Sequence, residues 1–139
     1  MVEVSLEQAR AVLQSQPFSR LLEAELVRFD ASGVELRIPI TAQVRQQNGF
    51  VHGGVVSYAA DNALTFAGGA CLGAAVVTSE FKINYLRPAS GQWLLARAAI
   101  VHAGRRQAVC RCEVYGSDGT GEVLCAVAQG TIVPLSGAG

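Results

Sequence analysis

Charged side chains are scarce in this sequence, and the two signs balance. They make up 16% of the residues, with 11 Lys and Arg against 11 Asp and Glu, so the formal net charge is zero. A protein that binds nucleic acid needs a surplus of basic residues to neutralise the phosphates. We therefore expect no nucleic-acid partner.

The chain also contains no segment typical of export or of membrane insertion. Its start, MVEVSLEQAR, has neither the basic region nor the apolar region of a signal peptide. The longest uncharged apolar run, Ala63 to Val77, is too short and too rich in glycine to span a bilayer. These observations predict a cytoplasmic protein without a membrane partner.

Metal ligands are few as well. The sequence has two histidines, His52 and His102, and its four cysteines include no C-x-x-C pair. We therefore predict no metal site. The thiols are interpreted as reduced core residues, at Cys71, Cys110, Cys112 and Cys125.

Apolar residues are abundant, at 50% of the chain. A length of 139 residues fits one domain, which we expect to span residues 1–139. The apolar share is more than the core of a small monomer needs, and surplus apolar surface often lies in subunit interfaces.

Local patterns predict the elements before the long apolar segment. A capping box and two alternating runs are the main signals. They predict a helix from Ser5-Leu6-Glu7-Gln8 to about Gln14 that Pro17 ends, strands at Leu21 to Phe29 and Val34 to Ile38, and a loop from Thr41 to Gly49.

The C-terminal half predicts consecutive strands joined by short turns, which form an antiparallel sheet. One long apolar helix precedes these strands and must be buried against the sheet. The predicted fold class is α+β, an antiparallel sheet wrapped around one central helix. The strands are expected at Val76 to Leu86, Gln92 to His102, Gln107 to Tyr115 and Glu122 to Val133.

The central helix lies within 51-VHGGVVSYAADNALTFAGGA-70. We predict that it begins at Gly53 or Gly54, runs to about Ala67 and is stopped by Gly68 and Gly69. Apolar residues occupy nearly every face, which is typical of a helix that is buried all round.

One side of this helix is polar. Ser57, Asp61 and Thr65 are spaced i, i+4, i+8 and form one stripe. A buried unpaired carboxylate is costly, and the helix has no Lys, Arg or His to neutralise Asp61. Asp61 either meets a cation from another element or a wet edge, or it is a nucleophile or general base in a pocket.

The start of the helix, His52-Gly53-Gly54, suits anion stabilisation. Helix N-termini carry free N–H groups and partial positive charge, and glycine lets a ligand approach the backbone closely. This combination indicates an oxyanion hole, although the glycines alone would also fit a tight turn. His52 either orients the loop by hydrogen bonding or contacts the substrate carbonyl.

His52-Gly53-Gly54, six helical residues and then Asp61 resemble the signature of the hotdog-fold acyl-CoA thioesterases. The nearest group is the PaaI-like and 4-hydroxybenzoyl-CoA thioesterases. Gly49, 83-INYLRPA-89 and 129-QGTIVP-134 also fit that pattern. The resemblance covers nearly the whole chain from Val34 onward.

The resemblance implies a role for each matching residue. Asp61 is the nucleophile or general base, and the Gly53 N–H with the Gln46 side-chain amide forms the oxyanion hole. Thr65 holds the attacking water or the carboxylate, and a hydroxyl on the next strand, from Thr78 or Ser79, does similar work.

Further positions are implied to contact the substrate. Gly54 lies beside the oxyanion hole. The basic turn residues Arg87, Arg105 and Arg106 either meet the phosphates of coenzyme A or are ordinary solvated charges.

The expected activity is hydrolysis of an acyl-CoA to the free acid and coenzyme A, with no metal or cofactor. The thiolate leaves without a strong acid, because thiols are far more acidic than alcohols. The alternatives are a hotdog enoyl-CoA hydratase or dehydratase, which would pair His52 with Asp61, and a non-catalytic acyl-CoA binding module.

The spacing of two site residues predicts a homodimer. Gly53 and Asp61 lie on one helix, separated by about 12 Å along its axis. An oxyanion donor and an attacking group must both lie about 3 Å from one carbonyl group, so a single helix cannot supply both. A second chain with an antiparallel helix can, and the resemblance implies this homodimer, often paired into a homotetramer.

Overall fold

The computed structural model describes residues 4–135. Its helices and strands occur in the predicted order, with one additional short helix. They are α1 Leu6–Gln14, α2 Pro17–Leu21, β1 Glu25–Asp30, β2 Gly33–Pro39, a 3₁₀ turn at Ala42–Val44, α3 Gly53–Leu72, β3 Val76–Tyr85, β4 Trp93–Ala103, β5 Ala108–Ser117 and β6 Glu122–Pro134.

The N-terminal helix has the predicted capping box. The Ser5 side chain accepts from the Gln8 N–H, and the Gln8 side chain accepts from the Ser5 N–H. Pro17 does more than end α1, because it also begins α2, where its fixed φ suits the first helical turn. The strand predicted from Leu21 therefore begins only at Glu25.

The six strands form one antiparallel sheet in the order β1-β2-β4-β5-β6-β3. Strands β1 and β3 are its edges. Along β5, buried residues alternate with more exposed ones, and the buried face packs against α3. A sheet wrapped around one long helix confirms the predicted α+β architecture.

The helix α3 extends beyond its predicted end. It continues through Gly68 and Gly69 to Leu72, and Gly73 ends it with a φ of 104°. Gly68 is buried, and a Cβ there would lie 2.5 Å from the Ile132 Cβ. Gly68 therefore permits close packing of the helix on the sheet and does not terminate the helix.

The four cysteines are unpaired, and three of them are buried. Burial raises the pKa of Cys112 to about 12 and that of Cys110 to about 11. These two thiols stay protonated near neutral pH and pack as small apolar groups.

Residues 4–135 contain neither a membrane-spanning helix nor a cluster of potential metal ligands. No helix there is long and apolar enough to cross a membrane. Within the same range, no group of three or more His, Cys, Asp or Glu is arranged to hold a metal ion.

Candidate active site

The polar stripe of α3 faces the edge strand β3. Asp61 Oδ1 accepts a hydrogen bond of 2.5 Å from Thr78 Oγ1. Thr65 Oγ1 donates to the Asp61 backbone carbonyl over 2.8 Å and lies 2.9 Å from Thr78 Oγ1. We call Asp61, Thr65 and Thr78 the acid cluster. A hydroxyl that donates to a carboxylate offsets part of the cost of removing that charge from water.

No cation neutralises Asp61 within the described part of the chain. Its carboxylate makes no ion pair there, and the residue is only partly buried. Oδ2 has no hydrogen-bond partner among residues 4–135. One carboxylate oxygen is thus held by Thr78, while the other is not among the buried polar atoms that lack a partner in that range, so it is accessible and can accept a proton or attack a carbon.

A β-bulge places Thr78 against Asp61. Phe81 and Tyr85 face the helix, so strict alternation along β3 would turn Ser79 inward and Thr78 outward. The register of β3 on β6 shifts between Thr78 and Glu80. The shift reverses the alternation, so Thr78 contacts the acid and Ser79 is exposed.

The N-terminus of α3 leaves one N–H free. His52 is the N-cap, and its Nδ1 accepts from the Gly54 N–H over 2.8 Å. The next two N–H groups, of Val55 and Val56, bond the His52 carbonyl. Only the Gly53 N–H has no acceptor among the described residues, so it is the donor available to a ligand. His52 orients the loop, and an accepting Nδ1 means that its ring proton is on Nε2.

Gln46 lies in the loop that precedes this helix. Its Oε1 accepts from the Asn48 N–H at 2.5 Å, and its own N–H bonds the Phe50 carbonyl. Gly49 closes the turn with a φ of 89°, which side chains rarely allow. Because the amide oxygen is used by the loop, the Gln46 amide presents Nε2, a hydrogen-bond donor, as an oxyanion requires.

Tyr85 is a contact that the sequence interpretation missed. Its hydroxyl donates to the Gly53 carbonyl over 3.0 Å and lies 2.6 Å from Ser57 Oγ. The tyrosine hydroxyl has one proton, so Ser57 is the donor in the second bond. The alternation of Phe81, Ile83 and Tyr85 already indicated that Tyr85 faces the helix, but not which residue it meets.

The structure divides the predicted site residues between two places. Asp61, Thr65 and Thr78 form the acid cluster in the middle of α3, whereas Gln46 and the glycines lie at its N-terminus, where Gly53 is about 12 Å from Asp61 along the axis. One subunit therefore does not bring the oxyanion donors and the acid together.

The two basic turns are also separated. Arg87 is exposed and follows Tyr85, at the end of the subunit that holds the helix N-terminus. Arg105 is exposed in the turn between β4 and β5, toward the end where Thr78 lies. Within one subunit, these two side chains cannot meet the same phosphate.

Two curated relatives of this chain have named activities. The medium/long-chain acyl-CoA thioesterase YigI of Escherichia coli (strain K12) is 28% identical to this chain. The matched region covers 73% of this chain and 77% of YigI. The acyl-coenzyme A thioesterase PaaI of the same organism is 28% identical, over 78% of this chain and 77% of its own.

A solved structure and a family model agree with these relatives. The crystal structure of a thioesterase family protein from Silicibacter pomeroyi is 30% identical, with a TM-score of 0.83, and covers 94% of this chain and 98% of its own. The model of the thioesterase superfamily matches residues 48–123, more than half of the chain. The protein therefore belongs to the thioesterase superfamily, a family of thioester hydrolases, and has the hotdog fold.

Proposed function

We propose that this protein hydrolyses an acyl-CoA to a free acid and coenzyme A. The observation that carries the proposal is the Asp61 carboxylate, in which Thr78 holds one oxygen while the other is accessible and has no partner among residues 4–135. The named activities of YigI and PaaI support coenzyme A as the carrier.

In the proposed mechanism, the thioester oxygen is bound by the Gly53 N–H and the Gln46 amide. Both donors are left over after the local hydrogen bonds are made. Negative charge develops on this oxygen in the tetrahedral intermediate, where fixed donors stabilise it most.

Asp61 has two routes to this intermediate. As a general base it takes a proton from water, whose oxygen bonds the carbonyl carbon. As a nucleophile it bonds that carbon itself, and water later cleaves the resulting anhydride. Thr65 donates to a backbone carbonyl, so its oxygen keeps lone pairs that can accept from a water. In both routes the C–S bond breaks, and the thiolate leaves with the electron pair.

The proposed active unit is a homodimer. Strand β3 is a sheet edge of 10 residues, and long open edges are ready to pair with another strand. Antiparallel pairing of two β3 strands about a two-fold axis would set the two α3 helices side by side in opposite directions. Gly53 of one subunit would then face Asp61 of the other.

This arrangement also supports a shared coenzyme A site. It would bring Arg87 of one subunit toward Arg105 of the other, which one chain cannot do. Pairing of two such dimers into a homotetramer is part of the proposal, as is the cytoplasmic location, where acyl-CoA substrates occur.

The test is release of free thiol from a panel of acyl-CoAs, with and without EDTA. The wild type should turn over at least one substrate, and EDTA should have no effect. Asp61→Asn keeps the shape of the side chain but removes the base and nucleophile, so kcat should fall at least about a hundredfold. Wild-type turnover in this variant would exclude Asp61 from the reaction.

The same preparation distinguishes the alternatives. Binding without thiol release from any acyl-CoA would indicate a binding module, and addition of water to crotonyl-CoA would indicate a hydratase. A single turnover in ¹⁸O-water identifies the nucleophilic route if the label enters the Asp61 carboxylate, because this requires an anhydride whose Asp61 carbonyl is attacked by water, whereas the general-base route places the label only in the released acid.

A further inference from the structure

The loop that carries Gln46 turns tightly between Gln46 and Gly49. The Gln46 N–H donates to the Phe50 carbonyl over 2.8 Å, and the Gly49 N–H donates to the Gln46 carbonyl over 3.0 Å. The Gln46 side-chain oxygen accepts from the Asn48 N–H inside the same turn. The direction of the Gln46 amide therefore depends on the shape of the turn, because the bond that holds its oxygen lies within it.

Glycine makes this turn possible and also makes it loose. The backbone of Gly49 lies in the left-handed region, where glycine has no steric cost, and a Cβ there would meet nothing within 4 Å. Residues 47–50 are all exposed, so packing restrains the tip of the turn only weakly. The turn must therefore be held mainly by hydrogen bonds.

One hydrogen bond reaches the tip from outside the turn. Arg45 Nη1 donates to the Gly49 carbonyl over 2.8 Å. Arg45 itself belongs to the anchored part of the loop, because it pairs with Val51 in an isolated antiparallel bridge. Val51 is buried, and its N–H donates to the Ala89 carbonyl over 2.9 Å. The guanidinium thus ties the exposed tip to a segment that the core holds in place.

Neither partner in this bond has a competing contact among residues 4–135. Arg45 makes no ion pair in that range, and its guanidinium donates to no other acceptor there. The Gly49 carbonyl accepts no other hydrogen bond from the same residues. A bond from a charged donor is stronger than one between neutral groups. Loss of Arg45 would leave this carbonyl to water and the tip free to move.

We propose that Arg45 is a positioning residue for the hydrolysis, which fixes the turn from Gln46 to Gly49 and so aims the Gln46 amide at the thioester oxygen. The inference rests on the proposed function and adds a residue that acts through Gln46 and not on the substrate.

The expected consequence follows from how an oxyanion donor works. Such a donor is effective because it is held about 3 Å from the developing negative charge before the reaction begins. A turn that fluctuates places the Gln46 amide correctly for only part of the time. Stabilisation of the transition state is then reduced, whereas binding of the substrate changes little.

The first experiment measures kcat and KM of Arg45→Met with an acyl-CoA that the wild type hydrolyses. The kcat should fall by about two- to tenfold, the range of one net hydrogen bond, and KM should change by less than about twofold. Arg20→Met is the matched control, because the Arg20 guanidinium also donates to a backbone carbonyl, that of Gln14 over 2.7 Å, but far along the chain from the Gln46 turn. This control should keep the wild-type kcat.

The second experiment is a double-mutant cycle with Gln46→Ala, which removes the amide that Arg45 is proposed to aim. In that background Arg45→Met should cause no further loss of kcat, because no side-chain donor remains to be positioned. Two independent effects would multiply instead.

The third experiment observes the turn without a substrate, by hydrogen exchange of backbone amides measured with NMR. Arg45→Met should speed exchange of the Asn48 and Gly49 N–H groups by about two- to tenfold, because the hydrogen bonds inside the turn open more often. The Val56 N–H, which donates to the His52 carbonyl over 3.2 Å at the start of α3, is the internal control and should exchange as in the wild type.

The outcomes separate this inference from the proposed function. If the wild type hydrolyses no acyl-CoA, the proposed function fails and the inference falls with it. If hydrolysis occurs, three results would overturn the inference alone. They are a loss in Arg45→Met that lies in KM and not in kcat, losses that multiply in the double variant, and exchange of the turn amides that is unchanged.

Discussion

Asp61 is a charged group on an otherwise apolar helix, and its surroundings explain how it is tolerated. The residue is half-buried beside β3, and the Thr78 hydroxyl replaces one of the hydrogen bonds that water would make. No cation pairs with it in the described residues. The carboxylate is therefore positioned without being neutralised, which suits a base or nucleophile.

Thr78→Val should lower kcat while the fold remains intact. The substitution keeps the shape but removes the donor that orients Asp61, so we expect a loss of about tenfold, the upper range for one hydrogen bond. Steady-state kinetics and thermal melting measure the two effects. Thr131→Val is the control, because the Thr131 hydroxyl donates to Glu80 and makes no hydrogen bond to the acid cluster. Equal losses in the two variants would contradict a role for Thr78 at the acid.

Tyr85→Phe tests the contact at the helix N-terminus. The hydroxyl anchors the Gly53 carbonyl and is bonded by Ser57, so its removal should loosen the oxyanion donor and lower kcat by about two- to tenfold. KM should change less, because the donor acts mainly on the transition state. The control is Tyr115→Phe. It removes a hydroxyl that donates to Glu113 within β5 and should leave kcat unchanged. If the wild type, Tyr85→Phe and Tyr115→Phe have equal kcat, Tyr85 is only a packing residue.

Among the elements, α3 packs closely against the sheet. It passes so close to β6 that only glycine fits at position 68, whereas the adjacent Gly69 has room for a methyl group. Two neighbouring glycines in one helix thus have different reasons to be there. Gly68 permits close packing on the sheet, and Gly69 lines a cavity between α1 and α3.

Gly68→Ala and Gly69→Ala should change stability in opposite directions. An added Cβ at Gly68 would press on Ile132, and overpacking costs about 1–3 kcal/mol. At Gly69, alanine makes an ordinary contact and gains roughly 0.5–1 kcal/mol from its helix propensity. Urea unfolding of both variants measures this. A stabilised Gly68→Ala protein would show that the helix can move away from the sheet.

The molecule as a whole has its proposed catalytic parts at two separate places along one helix. The oxyanion donors lie at the N-terminus of α3 and the acid cluster lies in its middle, about 12 Å away along the axis. The open edge of β3 runs alongside both. A two-fold dimer through that edge is the simplest arrangement that completes a site, and it creates two of them.

Complementation tests the shared site. One chain carries Asp61→Ala, and the other carries Gln46→Ala with Gly53→Pro, which removes the free N–H. Each homodimer should be nearly inactive, while mixed dimers should regain one intact site of two. Thiol release after mixing, with sedimentation to determine the assembly, is the measurement.

A separate control keeps the complementation result interpretable. If the proline chain does not fold, Gln46→Ala alone takes its place, with a partial loss expected. Folded mixed dimers without recovery, or an active monomer, would falsify the shared site.

Local patterns in the sequence were enough to predict the sheet, the central helix and the candidate roles of Asp61 and His52-Gly53-Gly54, whereas Gln46 and Thr78 were implied by the family resemblance. Alternation of period two identifies strands, and an all-apolar helix with one polar stripe identifies both the core element and the position of the acid. The spacing from His52 to Asp61 carried the family resemblance that the comparisons confirm. These features are readable because each depends on residues within a few turns of one another.

Other features depended on contacts between distant segments. The bulge in β3 selects Thr78 over Ser79, and the close approach of Ile132 explains why a glycine lies inside α3 at position 68. The Tyr85 hydroxyl donates to the carbonyl of Gly53, 32 residues earlier in the chain. None of these could be read from periodicity, because a pattern shows which way a side chain points, whereas only the packed chain determines what it meets there.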